Sequence, residues 1–184
     1  MTESARLANC LIINGPNVDA SKMKTALTAK NKTLRSEDVS RIVTAYVVMG
    51  EISLIGNLMP FAQAIHETGW FTSRRWLENY NPAGIGATND GAEGGKWLTP
   101  EAGIFAQYAH LLAYAVKPTA SYAGVMISQL QYLAKCSPRY TTLERLNLLG
   151  IATKWVDLNG RWAYPGKTYA QAIAKIAEFI VNVN

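Results

Sequence analysis

Apolar residues recur along most of the chain at the spacing of one face of an α-helix. Four segments show this spacing, with apolar positions three or four residues apart. They contain Val39, Ile42, Val43, Tyr46 and Val47; Leu58, Phe61, Ala62 and Ile65; Ile104, Phe105, Tyr108, Leu111, Leu112 and Ala115; and Tyr169, Ile173, Ile176, Ala177 and Ile180. A further helix is expected after Pro118. The pattern predicts a mainly helical fold.

Polar residues at the starts of these segments match helix-capping patterns. Ser36–Asp38 supplies an N-cap candidate and two acidic residues for a first turn. Thr99–Pro100 places a cap before a proline at the first helical position. Thr168 and Gln171 have the spacing of a capping box, so we expect the last helix to begin there.

Helical periodicity is lost between residues 79 and 98. This stretch is rich in glycine and contains the tight-turn signal Asn89-Asp90-Gly91, which predicts an irregular lobe or a short β-hairpin. A second irregular stretch, residues 157–167, precedes the last helix. With no repeat or linker, residues 1–184 are predicted to form one domain of mainly α (α+β) class.

The length and hydrophobic content of the chain indicate a globular protein. At 184 residues, 49% of them hydrophobic, the chain can bury a sizeable core. Its apolar stretches are too short to cross a bilayer, so no stable membrane insertion is expected. Cys10 and Cys136 have no motif spacing and are expected to be free, buried thiols. We expect a monomer.

The net charge of +5 is spread along the chain. A weakly basic surface suits a polyanion, either nucleic acid or a carboxylate-rich cell wall. A nucleic-acid binder would concentrate Lys and Arg on one helix face, and the scattered charges argue against this partner. The N-terminus shows no basic region followed by an apolar run, so a secretory signal is not visible.

Glu67 is the strongest candidate for a catalytic residue. It lies opposite the apolar stripe of its segment and two residues before Gly69, which is a natural helix terminator. The negative end of a helix and partial burial beside Trp70 would both raise the pKa of its carboxyl group. A general acid needs this shift, although an ordinary surface glutamate fits the same position.

The sequence lacks the motifs for zinc binding, phosphate binding and nucleophilic catalysis. His66 precedes a glutamate, but position 70 is Trp where a zinc-binding HExxH motif needs a second His. No phosphate-binding loop and no strand–turn–helix elbow for a nucleophile is visible. We therefore expect no metal and no other cofactor.

Five blocks of sequence now stand in an order typical of one family. They are FAQAIHETGWF, NPAGIGAT, EAGIFAQYAHLLAYA, SPRY and LNGRWAYPGKTY. Together they resemble the bacterial and phage glucosaminidase family, which is related to glycoside hydrolase family 73 and often labelled mannosyl-glycoprotein endo-β-N-acetylglucosaminidase. The resemblance extends from about Gly15 to the last helix.

The resemblance implies a lysozyme-like helical domain that hydrolyses the β-1,4 bond after N-acetylglucosamine in peptidoglycan glycan strands. The general acid of that family is the glutamate of the motif AxxETGW or AxxESGW, which corresponds to Glu67. A glycosidase ordinarily uses a second carboxylate. Glu93 and Asp90 in the irregular lobe rank slightly above Glu101, and participation by the substrate's acetamido group would make all three unnecessary.

The family's blocks also suggest substrate-binding residues. Asn81 matches the second Asn of the family's NNxxGI stretch, and Tyr80 stands where the first is usual. Asn81 either binds sugar or ties the turn. Trp70, Tyr80 and Trp97 could stack on sugar rings or simply pack the protein. His110 borders the cleft or is a hydrogen-bonded structural residue, and Ser137 departs from the family's DPRY.

The biological setting expected from this resemblance is degradation of the bacterial cell wall. Synthesis in a host cytoplasm and release for lysis, as in a phage endolysin, fits the lack of a visible signal. A muramidase or lytic transglycosylase on the same scaffold is the nearest enzymatic alternative. A non-catalytic glycan-binding module is the alternative from another class.

Overall fold

The structure is a computed structural model and describes residues 1–87, 94–118, 125–163 and 165–183. The helices in these ranges confirm the mainly helical architecture predicted from the sequence. They are α1 (Glu3–Ala8), α2 (Ala20–Lys30), α3 (Ser36–Ser53), α4 (Leu58–Thr68), α5 (Arg74–Asn79), α6 (Pro100–Ala115), α7 (Val125–Lys135), α8 (Tyr140–Arg145), a 3-10 helix (Trp155–Leu158) and α9 (Tyr169–Asn182).

Helices α4 and α6 lie at the centre of the fold. Helix α4 packs against α9, while α6 packs against both α3 and α7. The predicted apolar stripe of α4 is buried, but so is the opposite side, where Gln63 has 0% exposure. Every residue of α4 except His66 and Glu67 is buried. Gln63 is enclosed because α6 and α9 both reach it through hydrogen bonds.

The helix starts agree only in part with the capping patterns. Thr99 caps α6 as expected, since its hydroxyl accepts a hydrogen bond from the Ala102 amide at 3.2 Å. Ser36 is already the first residue of α3, whose N-cap position is occupied by Arg35 without a side-chain hydrogen bond. In both helices the sequence located the start to within one residue.

The predicted capping box at the start of α9 is wrong. Thr168 makes no side-chain cap bond, and its backbone is not in the extended conformation that N-caps usually adopt. Asn159 provides the cap instead. Its Oδ1 accepts from the Ala170 amide at 2.8 Å, and its Nδ2 donates to the Gln171 side chain at 3.0 Å. Gln171 is therefore already occupied by a residue from outside the helix.

The lobe comprises residues 80–87 and 94–98 and is irregular in these ranges. The turn predicted at Asn89-Asp90-Gly91 lies outside the described residues. The lobe rests on the first turn of α6 at Gly103. The Tyr80 carbonyl oxygen lies 1.8 Å from the point that a Cβ atom on Gly103 would occupy, so only glycine permits this contact.

Within the described ranges, no helix is long and apolar enough to cross a membrane. Both cysteines are free thiols, as expected, but Cys136 is exposed and not buried as the sequence suggested. Cys10 is half-buried, and burial raises the pKa of its thiol to about 11.

Candidate active site

Glu67 lies in the last turn of α4, as the sequence predicts. The helix ends at Gly69, which adopts a left-handed conformation with φ 56° and ψ 56°. The Trp70 amide donates back to the Ile65 carbonyl at 3.1 Å and closes the helix end. The chain then turns away, so that the Trp70 ring contacts Phe179 of α9 edge-on at 5.8 Å between ring centroids. This places Trp70 in packing between helices.

The two oxygens of the Glu67 carboxyl group have different surroundings. Oε1 accepts a hydrogen bond of 2.6 Å from the hydroxyl of Tyr169, the first residue of α9. Oε2 faces Gly84 of the lobe, since a Cβ atom added there would lie 3.4 Å from it. One oxygen is therefore held by the protein interior, while the other is directed at the lobe.

A chain of buried hydrogen bonds leads to Oε1 from the far side of the core. Each donor in the chain points towards Glu67. Tyr46 donates to Gln107 at 2.7 Å, Gln107 to Gln63 at 2.7 Å, Gln63 to Tyr169 at 2.9 Å, and Tyr169 to Glu67. The residues come from α3, α6, α4 and α9, so the polar chain crosses the centre of the fold.

The direction of this chain is set by a backbone group. The Nε2 of Gln107 also donates to the Pro60 carbonyl at 2.9 Å, and a carbonyl oxygen can only accept. Gln107 must therefore direct its Oε1 at the Tyr46 hydroxyl. Hydrogen bonds aligned in one direction polarise one another, so the donor that finally reaches Glu67 is strengthened.

Burial raises the pKa of Glu67 above its ordinary value. The hydrogen bond from Tyr169 and the charge of Arg75 act in the opposite direction and are outweighed. The expected upward shift is thus present. The group that contacts the carboxyl is Tyr169, however, while Trp70, the neighbour expected from the sequence, packs on α9.

Asn81 organises the lobe. It is 1% exposed, and its Nδ2 donates to the carbonyls of Ile85 and Gly95 at 3.0 and 3.2 Å. Its Oδ1 accepts from the Ile85 amide at 3.0 Å. Of the two roles considered for Asn81, these bonds fulfil the tying of the turn. Its binding to sugar stays a prediction.

Tyr80 and Trp97 flank this turn. Tyr80 ends α5 in a left-handed conformation with φ 47°, a conformation that Asn tolerates better than Tyr. Its ring contacts Trp76 edge-on at 5.7 Å. Trp97 packs over Gly95 and against a small cluster formed by Ala83, Ile85 and Ala106. Both rings are half-buried, so part of each stays open to solvent.

His110 is buried in α6 with 6% exposure. Its Nδ1 lies 3.0 Å from the Ser137 hydroxyl, and its ring contacts Trp162 in a tilted arrangement, with 4.8 Å between ring centroids and 55° between the ring planes. Burial, together with the charge of Arg139, lowers its pKa to about 3. The residue is thus a neutral, hydrogen-bonded histidine that also lines a cavity beside the lobe. The hydrogen bond to Ser137 fits the structural role considered for His110, and its binding to substrate stays a prediction.

The candidate second carboxylates have different outcomes. Glu101 forms a two-point ion pair with Arg41 of α3, at 2.9 and 3.0 Å, and this pairing lowers the pKa of Glu101. No described contact joins it to Glu67. Asp90 and Glu93 lie outside the described residues, so their candidacy stays a prediction.

Sequence reasoning missed Tyr169, Arg75 and the two buried glutamines as parts of the site. Tyr169 was assigned to the apolar face of α9 because its ring fits that face. A tyrosine in a core stripe needs a partner for its hydroxyl, and this requirement was the available signal. Arg75 follows Arg74 in the chain, and nothing in this local sequence indicates that its charge acts on Glu67. No group of residues suited to a metal ion occurs in the part of the chain that the structure describes.

Comparison with protein families identifies the class. The family model for mannosyl-glycoprotein endo-beta-N-acetylglucosaminidase matches residues 44–180. The chain belongs to this glucosaminidase family. It is therefore a domain of the glycan-cleaving hydrolase class, and the match includes Glu67, Tyr169 and the whole lobe. A comparison with curated proteins gave no match.

Proposed function

We propose that the protein hydrolyses the β-1,4 bond after N-acetylglucosamine in peptidoglycan, with Glu67 as the proton donor. The observation that carries the proposal is the asymmetric environment of the Glu67 carboxyl group. A raised pKa keeps this group protonated to higher pH, and the proton belongs on Oε2 because Oε1 accepts from Tyr169. Oε2 is the oxygen that faces the lobe.

In the first step, the Oε2–H of Glu67 donates its proton to the glycosidic oxygen as the bond from that oxygen to the sugar C1 breaks. The carboxylate left behind is stabilised by the Tyr169 hydroxyl and by the charge of Arg75, both of which favour the ionised form. The hydrogen bond from Tyr169 thus strengthens as negative charge develops.

In the second step, water adds to C1 and its proton returns to the Glu67 carboxylate. Positive charge on the sugar ring needs a partner before water adds. Asp90 or Glu93 would supply a carboxylate, and the acetamido oxygen of the substrate would serve the same purpose by attacking C1 itself. The biological setting we propose is lysis of a cell wall by an endolysin released from the host cytoplasm.

The bond that is cleaved can be tested by mass spectrometry of digested, borohydride-reduced peptidoglycan. Reduced N-acetylglucosamine ends are expected. Reduced N-acetylmuramic acid ends would assign the protein to the muramidases, and anhydro ends to the lytic transglycosylases. Either result would overturn the proposal for the bond or the reaction.

The role of Glu67 is tested with Glu67→Gln, which keeps the shape of the side chain but carries no transferable acidic proton. We expect turbidity loss of a cell-wall suspension to fall by at least a thousandfold, on the order of what general acid catalysis contributes. If the native protein and Glu67→Gln act alike on the wall, a non-catalytic glycan-binding module is the better description.

A further inference from the structure

Two adjoining cavities extend from the lobe side of the site. The inner one, of about 220 Å³, is lined by Gly84, His110, Trp162 and Arg161 among others. The outer one, of about 360 Å³, is lined by Pro138 and Arg145. Both share Ile85, Gly86, Arg139 and Thr142, so they form one groove. We call it the arginine groove, after Arg139, Arg145 and Arg161.

The described residues that line the groove carry positive charge without a lining carboxylate. The charge of Arg139 reaches the interior, because it adds to the burial that lowers the pKa of His110 and partly offsets the burial that raises the pKa of Tyr114. Glu144 and Asp157, two carboxylates of the described ranges near these arginines in the sequence, do not line the groove. Glu144 is exposed, and its charge adds to the burial that raises the pKa of Tyr140. The Asp157 carboxylate accepts from the backbone amides at positions 153 and 154.

Gly84 connects the groove to the candidate catalytic carboxyl group. Gly84 lines the inner cavity and also faces Oε2 of Glu67. Trp162, half-buried with its indole nitrogen bonded to the Ala83 carbonyl at 3.3 Å, offers a flat apolar wall beside the arginines. A glycan that presents its bond to Glu67 therefore has its next units within reach of a sugar-stacking surface and of guanidinium groups.

Guanidinium groups bind carboxylates through two parallel hydrogen bonds. We propose that the arginine groove binds a carboxylate carried by the glycan, so that the protein prefers an acidic glycan to a neutral one of the same length. The inference rests on the proposed function in one respect, that the ligand in the cleft is a glycan. The carboxylate is either the lactyl group of the sugar or the end of an attached peptide.

The test measures binding with the Glu67→Gln protein, which leaves its ligand intact, at fixed ionic strength. Two kinds of peptidoglycan strand serve as probes, one with peptides attached and one freed of peptides by an amidase. Each kind is also prepared with its carboxyl groups converted to neutral methylamides. We expect amidation to weaken binding about tenfold. An effect in peptide-free strands assigns the lactyl carboxylate, and an effect confined to peptide-bearing strands assigns the peptide. No effect in either overturns the inference.

Arg139→Gln and Arg145→Gln, alone and combined, should reduce this discrimination, to near unity in the double variant. Arg35→Gln, which removes the same charge from an exposed ion pair with Asp38, should leave it unchanged. If Arg35→Gln lost the same amount of discrimination, the preference would come from the overall charge of the protein, and the inference that the arginine groove binds the carboxylate would be wrong. Arg145 is exposed, so its variant serves if Arg139→Gln fails to fold.

The two proposals fail separately. If binding depends on the carboxyl groups but the native protein does not hydrolyse the glycan, only the proposed enzyme activity is wrong. If hydrolysis yields reduced N-acetylglucosamine ends but amidation does not change binding, only the proposed role of the arginine groove is wrong.

Discussion

The two oxygens of the Glu67 carboxyl group are not equivalent, and this difference suits the role of general acid that we propose for it. Tyr169 holds Oε1, and the proton is therefore directed to Oε2, opposite a glycine. Rotation of the carboxyl group would break the bond to Tyr169, so the acidic proton keeps one direction. This arrangement makes two substitutions informative, one on each side of the carboxyl group.

Gly84→Ala places a methyl group 3.4 Å from Oε2, in the space that a glycosidic oxygen would need. Activity should fall about 100-fold, as expected for a small misplacement of reacting groups. Because Gly84 has φ 61°, stability should also fall by about 1–2 kcal/mol.

Gly160→Ala is the matched control for this substitution. Gly160 has φ 69°, and nothing lies within 4 Å of an added Cβ atom. The Gly160→Ala protein should lose a similar amount of stability in thermal denaturation and keep its activity. Equal activity losses in the two variants would mean that backbone strain, and not crowding of Oε2, causes the effect.

Tyr169→Phe removes the hydrogen bond that favours ionised Glu67, so the pKa of Glu67 should rise further above its ordinary value. A general acid works in its protonated form, and the alkaline limb of the pH–rate profile should move to higher pH. The Nε2 of Gln63 loses an acceptor, which should cost about 1–3 kcal/mol of stability. Tyr132→Phe, at an exposed position, should change neither property. If the alkaline limb does not move, Tyr169 does not influence the pKa of the group that acts as the acid.

Glu67 could be found from the sequence, whereas its partner could not. The signals for Glu67 are local, because a helix stripe and a terminating glycine lie within a few residues of it. Tyr169 is 102 residues away, and its ring alone satisfies the apolar pattern of α9. The contact exists because α9 packs along α4, which no local spacing reveals.

Helix α9 brings Tyr169 to the site at its first residue, so the start of this helix controls the geometry of the site. Asn159→Ala removes the cap of α9 and should destabilise the protein by about 1 kcal/mol. Thr168→Ala, at the position that the sequence marked as the cap, should have a smaller effect because its side chain makes no cap bond. Thermal denaturation compares the two. A larger loss in Thr168→Ala would restore the original capping assignment.

The success at α6 and the failure at α9 have one physical explanation. Thr99 caps its own helix through an amide three residues on, so the sequence contains the whole interaction. The cap of α9 comes from Asn159, in the turn after the 3-10 helix, and depends on how that turn packs. Local capping rules cannot anticipate a cap supplied from a separate turn.

The burial of polar residues in α4 and α6 follows from the layering of the molecule. A single helix viewed alone has an apolar side and a polar side, and Gln63 and His110 fall on the polar ones. Helices on both sides of α4 and α6 enclose these residues, which then need internal partners. The described structure provides Gln107 and Tyr169 for Gln63, and Ser137 for His110.

His110 should make the stability of the whole fold depend on pH. Its pKa is about 3 in the folded protein and about 6.5 when unfolded. The unfolded chain therefore binds a proton first, so the stabilisation is complete above pH 6.5 and is lost as the pH falls towards 3. Urea unfolding should show wild type losing up to about 1.4 kcal/mol per pH unit relative to His110→Phe in this window. Parallel pH dependences of the two proteins would exclude His110 as the source.

Gly103 limits how this protein can be altered in the laboratory. A side chain there would collide with the Tyr80 carbonyl, which leads directly into the turn that Asn81 organises. A saturation library at codon 103 should thus return glycine alone among active clones, while half-buried Ala102 next to it accepts variation. Efforts to evolve a new glycan preference should keep this codon and diversify the walls of the arginine groove.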